Sequence, residues 1–426
     1  MLNEIFNEYL IKNLTDILFV VFIGFTIAFL STPIVGRIAK IIKVIDKPKY
    51  QRNAFERGYE TRIHSEPKAK LGGLAMAFAL LFTILISTQL SLTNHLDINY
   101  VLVQYGIIVG AIVIVVGGLL DDIFELNPYI QLFFQVLAAS IVIVFSIGLI
   151  TNINVLGINL NFEFWELPIQ IGRISSFYIP AFVFTLFWIL GMINVINWVG
   201  GIDGLNGTVS ALASFTLLVI SLSNSNFIIS IIIAAHLGSV LGVLPFNYYP
   251  SKIFYGSIGD YLNGYLLSIF AILSGAKWHT TLILFALPII DGLYVIYKRF
   301  RKYPSFLSKP WKVLAISDKN HFHHRLLDSG FSQKAVMFIE SSFVLILCGF
   351  AILSTDLRIE FITIILGLIF IVLVFVIVFI LKQRYELQQR LNEIVIQEEI
   401  KTVKKPLVSV VVRDGDNDNE EPKFIY

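Results

Sequence analysis

Charged residues and cysteine are both scarce in this sequence. Of its 426 residues only 15% are charged, whereas 56% are hydrophobic, and Cys348 is its single cysteine. Soluble globular proteins carry about 25% charged and about 45–50% apolar residues, so the composition argues against a simple soluble domain. One cysteine excludes an intrachain disulfide. A basic N-terminal stretch is also missing, because Glu4, Glu8 and Asp16 precede the first apolar run. We therefore expect that run to be retained rather than cleaved as a signal peptide.

Long apolar runs, in contrast, recur along the whole chain. Each is close to the about 20 residues that a helix needs to cross a hydrocarbon core of about 30 Å. We predict eleven membrane spans, at residues 17–42, 71–92, 101–120, 131–150, 177–197, 207–223, 226–245, 258–275, 278–297, 336–354 and 358–382. The expected fold class is an all-α integral membrane protein with about eleven transmembrane helices.

Lysine and arginine are unevenly distributed between the predicted loops. They are dense between the first and second spans and between the ninth and tenth, whereas residues 91–100 have none. The positive-inside tendency places both basic loops in the cytoplasm. The N-terminus is then outside and, with eleven spans, the C-terminus is cytoplasmic.

The chain divides into a polytopic transmembrane domain, residues 1–382, and a cytoplasmic tail, residues 383–426. We expect the tail to begin as a polar helix that continues the last span to about Lys401. Its end carries an acidic run, Asp414–Glu421, which is typical of a solvated, disordered terminus.

Polar residues at the membrane border gather on the predicted cytoplasmic side. They are Asp121 and Asp122, Asn194, Asn197 and Asp203, Asn247, Ser257 and Asp260, Asp291, and finally His321, His323, His324 and Arg325. The orientation was assigned from lysine and arginine alone. The position of these polar residues on one side is therefore independent of that assignment. It favours a single functional site on the cytoplasmic side.

Each of these motifs also has an ordinary explanation. A lone aspartate at a helix end commonly caps the helix or meets water. The adjacent carboxylates of Asp121 and Asp122 repel each other, and Mg²⁺ would relieve this, because it takes one or two carboxylates together with substrate phosphates. The run from His321 to Arg325 fits a soft-metal cluster, a basic surface patch or an anion clamp.

In their order along the chain, the motifs resemble the polyprenyl-phosphate N-acetylhexosamine-1-phosphate transferases. The H-x-H-H-R form resembles the branch that uses undecaprenyl phosphate and GlcNAc-1-phosphate, of the glycosyltransferase 4 type. The resemblance covers roughly residues 35–335, through Asp46-x-Pro48; Arg62-Ile-His64 with Pro67 and Gly72-Gly73; Asp121-Asp122 with Leu126, Pro128 and Gln135; Asn194-x-x-Asn197 with Asp203-Gly204-Leu205; Asn247-x-x-Pro250 with Phe254 and Gly256; Pro288 and Asp291; and Asp318-x-x-His321-Phe322-His323-His324-Arg325-Leu326 with Gly330.

The resemblance implies an enzyme that transfers N-acetylhexosamine-1-phosphate, with GlcNAc-1-phosphate as the expected group, from a UDP-sugar to polyprenyl phosphate. UMP is released, and the reaction is the first membrane step of a cell-envelope glycan. The implied partners are UDP-N-acetylhexosamine, the polyprenyl phosphate lipid and the membrane, with no nucleic acid, and a homodimer stays open. The implied cofactor is Mg²⁺, with Mn²⁺ as an alternative. Residues 1–382 are then the catalytic domain of a multi-pass cell-membrane protein whose active site is cytoplasmic.

The resemblance also implies roles for individual residues. Asp121, Asp122 and Asp260 are expected to hold the metal. The catalytic group is expected to comprise Asp121, Asp122, His321, His323, His324 and Arg325. Substrate binding is expected from His64, Asn194, Asn197, Asp203, Asn247, Phe254 and Asp291.

The chain departs from the family pattern at the site itself. Gly200 stands where the family has the first Asp of Asp-Gly-x-Asp-Gly, and Gln131 stands where it has Lys. Ser257 and Asp260 are exchanged relative to Gly-Asp-x-Gly-Ser. These departures leave an alternative, a catalytically degenerate member that binds lipid or nucleotide sugar or acts as a scaffold. A transporter is disfavoured, because its ionisable groups would lie near the middle of the membrane.

Overall fold

The computed structural model describes residues 2–47, 66–89, 98–155, 158–170, 174, 176–303, 320–356 and 358–403. Its helices are α1 (Leu2–Ile41), α2 (Gly72–Gln89), α3 (Ile98–Phe124), α4 (Pro128–Val142), α5 (Ile179–Val199), α6 (Leu205–Ser223), α7 (Phe227–Asn247), α8 (Gly256–Leu273), α9 (Trp278–Leu284), α10 (Ala286–Lys302), α11 (Phe322–Asp328), α12 (Gln333–Leu353) and α13 (Glu360–Val403). A π-helical turn, Ile143–Ile147, continues α4.

The described residues form a helical multi-pass membrane protein. Eight of their helices are long and apolar enough to cross a membrane, and the bent pair α9 and α10, which meets at 75°, would make a ninth. Each of the eleven predicted segments overlaps a described helix, but the apolar part of α2, Gly72–Ser87, is shorter than the other spans. Helix α8 is less apolar, because Asp260 and Asn263 lie within it. The helical membrane fold is therefore confirmed, whereas the count of eleven and the orientation stay predictions.

Helices α6 and α7 form the centre of the bundle. In the most apolar part of each, 78% of the residues are buried, compared with 28% in α1. Helix α1 packs most extensively against α7. Glycines permit this close approach: a methyl group on Gly24 would lie 3.0 Å from the backbone oxygen of Ala235.

Short antiparallel strand pairs occur beside the helices, and the all-α expectation had not included them. They are β1 (Ile45–Asp46) with β2 (Lys68–Ala69), β3 (Asn152–Val155) with β4 (Ile158–Asn161), and β5 (Glu166–Leu167) with β6 (Phe177–Tyr178). The first pair lies between α1 and α2, and Asp46 is opposite Lys68 in it. The other two pairs lie between the end of α4 and the start of α5. Asp122 lies close to the other ends of these helices, near the start of α4 and the end of α5.

Helix α13 extends beyond the last predicted span, which ends at residue 382, and continues to Val403. The sequence predicted such a helical extension to about Lys401. Residues 404–426, which include the acidic run, lie outside the described residues.

Candidate active site

A cavity of about 230 Å³ lies at the end of the bundle where α3 and α5 end and where α6 and α8 begin. Several predicted site residues line it together: Asp122, Asp203, Asn247, Phe254, Asp260 and His324. They come from chain segments far apart in sequence, so the fold itself assembles the cavity.

Asp122 is fixed by the start of α8. Its Oδ1 accepts the backbone N–H of Ser257 at 3.0 Å, and its Oδ2 accepts that of Ile258 at 3.3 Å. The first N–H groups of a helix have no partner within it, and a carboxylate there is also favoured by the helix dipole. Gly256 permits this approach, since its φ is 68° and a side chain would collide with the Asp122 carboxylate.

Lys70 brings a positive charge to the cavity wall. Its Nζ lies 3.9 Å from Oδ1 of Asp122 and 3.9 Å from Oδ1 of Asp46. The Lys70 side chain is only 15% exposed. A partly buried ammonium group beside a cavity is suited to attract an anion, because its charge is weakly screened.

Asp260 lines the same cavity one helical turn after Ser257. A methyl group on Gly200 would lie 2.7 Å from Oδ2 of Asp260, so this carboxylate fills the space beside Gly200. It is also close enough to the Asp122 carboxylate for the two to repel. Across the described part of the chain Asp260 has no hydrogen-bond partner. Its oxygens are therefore available to a ligand.

Asp121 lies behind the cavity wall and is fully engaged within the protein. Its Oδ1 accepts the Leu126 backbone N–H at 2.9 Å and Nε2 of Gln131 at 2.7 Å. Its Oδ2 accepts the Ser257 hydroxyl at 2.5 Å. The structure thus places Asp121, predicted to hold metal and to act in catalysis, where it supports the start of α8 and does not line the cavity.

Hydrogen bonds between side chains and the backbone hold another part of the cavity wall. Oδ2 of Asp203 accepts the N–H of Ser251 at 2.8 Å, and Nδ2 of Asn247 donates to the Ile253 carbonyl at 3.0 Å. The Tyr255 hydroxyl donates to the Val240 carbonyl at 3.0 Å. These contacts fix the segment between α7 and α8 against the start of α6.

The histidine run lies on and just before α11, beside the cavity. Nδ1 of His321 bonds to Oδ2 of Asp291 at 2.9 Å, and because a carboxylate only accepts, Nδ1 carries the hydrogen. The rings of His321 and His323 stack 5.6 Å apart, and those of His323 and His324 lie 4.5 Å apart. Burial, assisted by the neighbouring cationic groups, lowers the pKa of His323 well below its usual value, so its ring is neutral at pH 7.

Arg325 points away from the cavity and anchors α11. Its Nη2 donates to Oδ1 of Asp291 at 3.3 Å, and its guanidinium lies 4.4 Å from the centre of the Tyr294 ring. Asp291, predicted to bind substrate, therefore joins α10 to His321 and Arg325. Neither Asp291 nor Arg325 lines the cavity.

The carboxylates of the cavity fit a cation that is shared with a substrate. Among the described residues no three His, Cys, Asp or Glu side chains form a closed ligand set. Mg²⁺ does not require one, because it takes one or two carboxylates and completes its shell with phosphates and water. Asp260 and the adjacent Asp122 supply this kind of donor set.

Comparison with known proteins assigns the bundle to a family. A sequence profile of glycosyl transferase family 4 matches residues 104–275, which include Asp122, Asp203 and Asp260. The central part of the chain thus matches glycosyl transferase family 4. The resemblance stated from the sequence is thus confirmed.

Relatives of this chain include transferases for different sugars. A probable undecaprenyl-phosphate N-acetylglucosaminyl 1-phosphate transferase of Bacillus subtilis is 29% identical, over 81% of this chain and 86% of the relative. A decaprenyl-phosphate N-acetylglucosaminephosphotransferase of Mycobacterium leprae is 26% identical, over 74% and 77%. A phospho-N-acetylmuramoyl-pentapeptide-transferase of Streptococcus sanguinis is 28% identical, over 59% and 76%. These relatives are polyprenyl-phosphate and related phosphosugar transferases of cell-envelope biosynthesis.

Two further predicted substrate-binding residues, Asn194 and Asn197, do not line the cavity. Nδ2 of Asn194 donates to Oε1 of Gln135 at 2.9 Å and so links α5 to α4. The carbonyl of Asn197 accepts the N–H of Gly200 at 3.0 Å, which closes the end of α5. His64 lies outside the described residues.

Lys70 is a cavity residue that the motifs did not indicate, although it lies in the first basic loop. The sequence feature that could have indicated Lys70 is its position two residues before Gly72-Gly73, which is part of the family pattern. The backbone explains the placement: the N–H groups of Gly72 and Gly73 donate to the carbonyls of Phe254 and Tyr255 at 2.9 and 2.8 Å. These bonds hold the start of α2, and with it Lys70, against the cavity.

Proposed function

We propose that this protein transfers N-acetylglucosamine-1-phosphate from UDP-GlcNAc to a polyprenyl phosphate and releases UMP. The observation that carries the proposal is the meeting of Lys70, Asp122 and Asp260 around one cavity at the end of the bundle. Two anionic substrates must approach each other in this reaction, so charge compensation and positioning do most of the catalysis.

The reaction needs few proton transfers from the protein. An oxygen of the lipid phosphate attacks the sugar-bearing phosphorus, the bond from that phosphorus to the bridging oxygen breaks, and UMP leaves. A phosphate monoester has a second pKa of about 6 and is mostly dianionic at pH 7, so no strong general base is required. Mg²⁺, held by Asp260 and Asp122, would supply positive charge to the diphosphate.

The other cavity residues bind and orient the substrates in this proposal. Lys70, already weakly held by two carboxylates at 3.9 Å, compensates phosphate charge. His324, which lines the cavity, would contact phosphate or sugar. His323, neutral because of its burial, supports the His324 ring. Asp203 and Asn247 shape the nucleotide side of the cavity.

GlcNAc is proposed as the sugar because the H-x-H-H-R form resembles the GlcNAc-1-phosphate branch and two relatives carry GlcNAc in their names. The cytoplasmic location of the cavity is proposed from the basic loops. Lys70 and β1–β2 belong to the first of these loops, which supports placing the cavity on the same side.

The alternative is an inactive family member that binds lipid or nucleotide sugar. The replaced positions Gly200, Gln131 and Ser257 favour it. The carboxylate of Asp260 in the cavity favours the enzyme, because it restores a carboxylate beside Gly200.

One assay distinguishes the active transferase from the inactive family member. Purified protein is incubated with Mg²⁺, polyprenyl phosphate and a panel of UDP-sugars, and both UMP and lipid product are measured. We expect equal amounts of both with UDP-GlcNAc, and Asp260→Ala is the control for contaminating activity. Absence of both UMP and lipid product with every UDP-sugar would support the inactive member and contradict the proposal.

A further inference from the structure

A chain of hydrogen bonds runs from the interior of the bundle to the cavity. Ser214 Oγ lies 2.8 Å from His236 Nδ1, and His236 Nε2 lies 3.0 Å from Asn263 Oδ1. Nδ2 of Asn263 donates to Oδ1 of Asn206 at 2.8 Å, and Nδ2 of Asn206 donates to the Ile196 carbonyl at 2.8 Å. The side chains belong to α6, α7 and α8, and the last acceptor belongs to α5. All are buried, Asn206 at 3% exposure and the others at 0%.

The direction of every bond follows from its last acceptor. The Ile196 carbonyl only accepts, so the Asn206 amide nitrogen faces it and Oδ1 of Asn206 faces Asn263. Asn263 must then donate to Asn206 and accept from His236. The His236 ring therefore carries its hydrogen on Nε2, and its Nδ1 accepts the Ser214 hydroxyl. The bonds therefore have one consistent set of directions, and Oδ1 of Asn206 accepts the Ser210 hydroxyl at 3.1 Å in addition to the Asn263 amide.

Asn206 connects this chain to the cavity. Its bond to Ile196 joins the first turn of α6 to the last turn of α5, and so closes the segment between them. That segment contributes Gly200, Gly201 and Asp203 to the cavity wall, and Asn206 lines the cavity itself. A change in the Asn206 amide would therefore move the wall that faces Asp260.

An imidazole within an apolar helix requires such partners. His236 lies in α7, in the run Ile-Ile-Ala-Ala-His-Leu-Gly, where an unpaired polar group would be costly. Its ring also meets Phe270 edge-on, with ring centres 5.5 Å apart, which further fixes its plane. A buried polar network in which every member is paired specifies one arrangement of its helices.

We propose that His236 is a positioning residue for the cavity: by donating to Asn263 it orients Asn206 and so holds the segment from Gly200 to Asp203 in place. The kinetic part of this inference rests on the proposed function, whereas its structural part does not.

Two substitutions of His236 separate its two hydrogen bonds. In His236→Gln the longer amide reaches the former Nε2 position and keeps the donor to Asn263. In His236→Asn the shorter amide reaches only the former Nδ1 position, so it keeps the bond to Ser214 and loses the one to Asn263. The two variants remove a ring from the same site, which makes each the control for the other.

Backbone hydrogen exchange of the segment 200–206, measured by mass spectrometry on the purified full chain, gives the first readout. We expect exchange about tenfold faster in His236→Asn and close to wild type in His236→Gln, since a lost buried hydrogen bond changes an equilibrium by about that factor. The KM for UDP-GlcNAc should rise about tenfold in His236→Asn, with a smaller change in kcat. Equal exchange of this segment in the two variants would overturn the inference.

Two further variants keep the test decisive. Ser214→Ala removes the distant end of the chain of bonds and should leave the segment 200–206 near wild type. Asn263→Asp replaces the donor to Asn206 by an oxygen and should also make the segment 200–206 exchange faster. It serves as the test if His236→Asn fails to fold. Normal exchange in Asn263→Asp would contradict the inference. A wild-type protein that releases no UMP would refute the proposed function alone, because hydrogen exchange does not depend on activity.

Discussion

Ser257 and Asp260 have separate tasks at the start of α8. The Ser257 hydroxyl donates to Asp121, where a carboxylate at this position would repel it. The Asp260 carboxylate lies in the cavity, in the space that a side chain at position 200 would need. The loss of a carboxylate at Gly200 and the gain of one at Asp260 therefore occur at the same place.

Removing the Asp260 carboxylate should abolish transfer. We expect both Asp260→Ala and Asp260→Asn to lower kcat by about a hundredfold or more, because both lose the charge that would hold the metal. Ser257→Ala, one turn away, should have a mild effect. UMP release at saturating substrates measures the difference, and full activity of Asp260→Asn would show that the metal is held by other groups.

Gly200 is expected to be required for the position of Asp260. In Gly200→Ala the methyl group would lie 2.7 Å from Oδ2 and displace the carboxylate, although the backbone φ of −66° is suitable for alanine. The Mg²⁺ concentration for half-maximal activity should rise at least about fivefold, for the loss of about one contact to the ion. Gly191→Ala, within α5 and with nothing within 4 Å of the added methyl group, is the control. An unchanged Mg²⁺ requirement in Gly200→Ala would show that Gly200 is not required for metal binding.

Among the elements, α11 depends on a buried ion pair for its position. Asp291 on α10 accepts from both His321 and Arg325, and the side chains of Asp291 and Arg325 are 12% and 14% exposed. This anchor holds the helix that carries His323 and His324, of which His324 lines the cavity.

Asp291→Ala should detach α11 and destabilise the protein. It leaves the Arg325 guanidinium buried without its carboxylate, which typically costs about 3–5 kcal/mol. Asp328→Ala, an exposed carboxylate at the end of the same helix, is the matched control. Thermal unfolding in detergent and UMP release are measured together, and an Asp291→Ala protein as stable as Asp328→Ala would contradict the anchoring role.

The sequence predicted the helices well, because long apolar runs in a membrane protein have few alternatives to a helix. It could not predict the strand pairs β1–β2 and β3–β4, which are too short to show a pattern of alternation. Asp122, Asp260 and His324 were predicted to lie together, because Asp122 and Asp260 stand near span ends and His324 stands in a loop, all on the predicted cytoplasmic side, and all three line the cavity. Asp291 and Arg325 show the limit of this reasoning: both belong to the family pattern, yet their partners depend on how α10 and α11 pack.

His236 illustrates another limit of the sequence. It stands alone in an apolar run, and its partners Ser214 and Asn263 lie 22 and 27 residues away on other helices. A polar residue in a span indicates a function, but only the packing shows that its bonds lead to Asn206 and the cavity.

For the whole molecule, the predicted orientation places the cavity in the cytoplasm. Single cysteines at Lys47 and Asn159, both exposed, are introduced on a Cys348→Ser background. We expect a membrane-impermeant thiol reagent to label Lys47→Cys only in inside-out vesicles, because it lies in a basic loop, and Asn159→Cys only in right-side-out vesicles. The reverse pattern would place the cavity outside and contradict the proposed access to UDP-sugar.

The central claim is the transfer of a sugar together with its phosphate, and the fate of the β-phosphorus of the donor tests it most directly. Purified protein is incubated with UDP-GlcNAc labelled at the β-phosphorus, polyprenyl phosphate and Mg²⁺, and the lipid and aqueous phases are counted. The account predicts that the label enters the lipid phase in a one-to-one ratio with the UMP released, and that Asp260→Ala prevents both. Label that stays in aqueous UDP while sugar enters the lipid phase would show cleavage of the glycosidic bond and contradict the account.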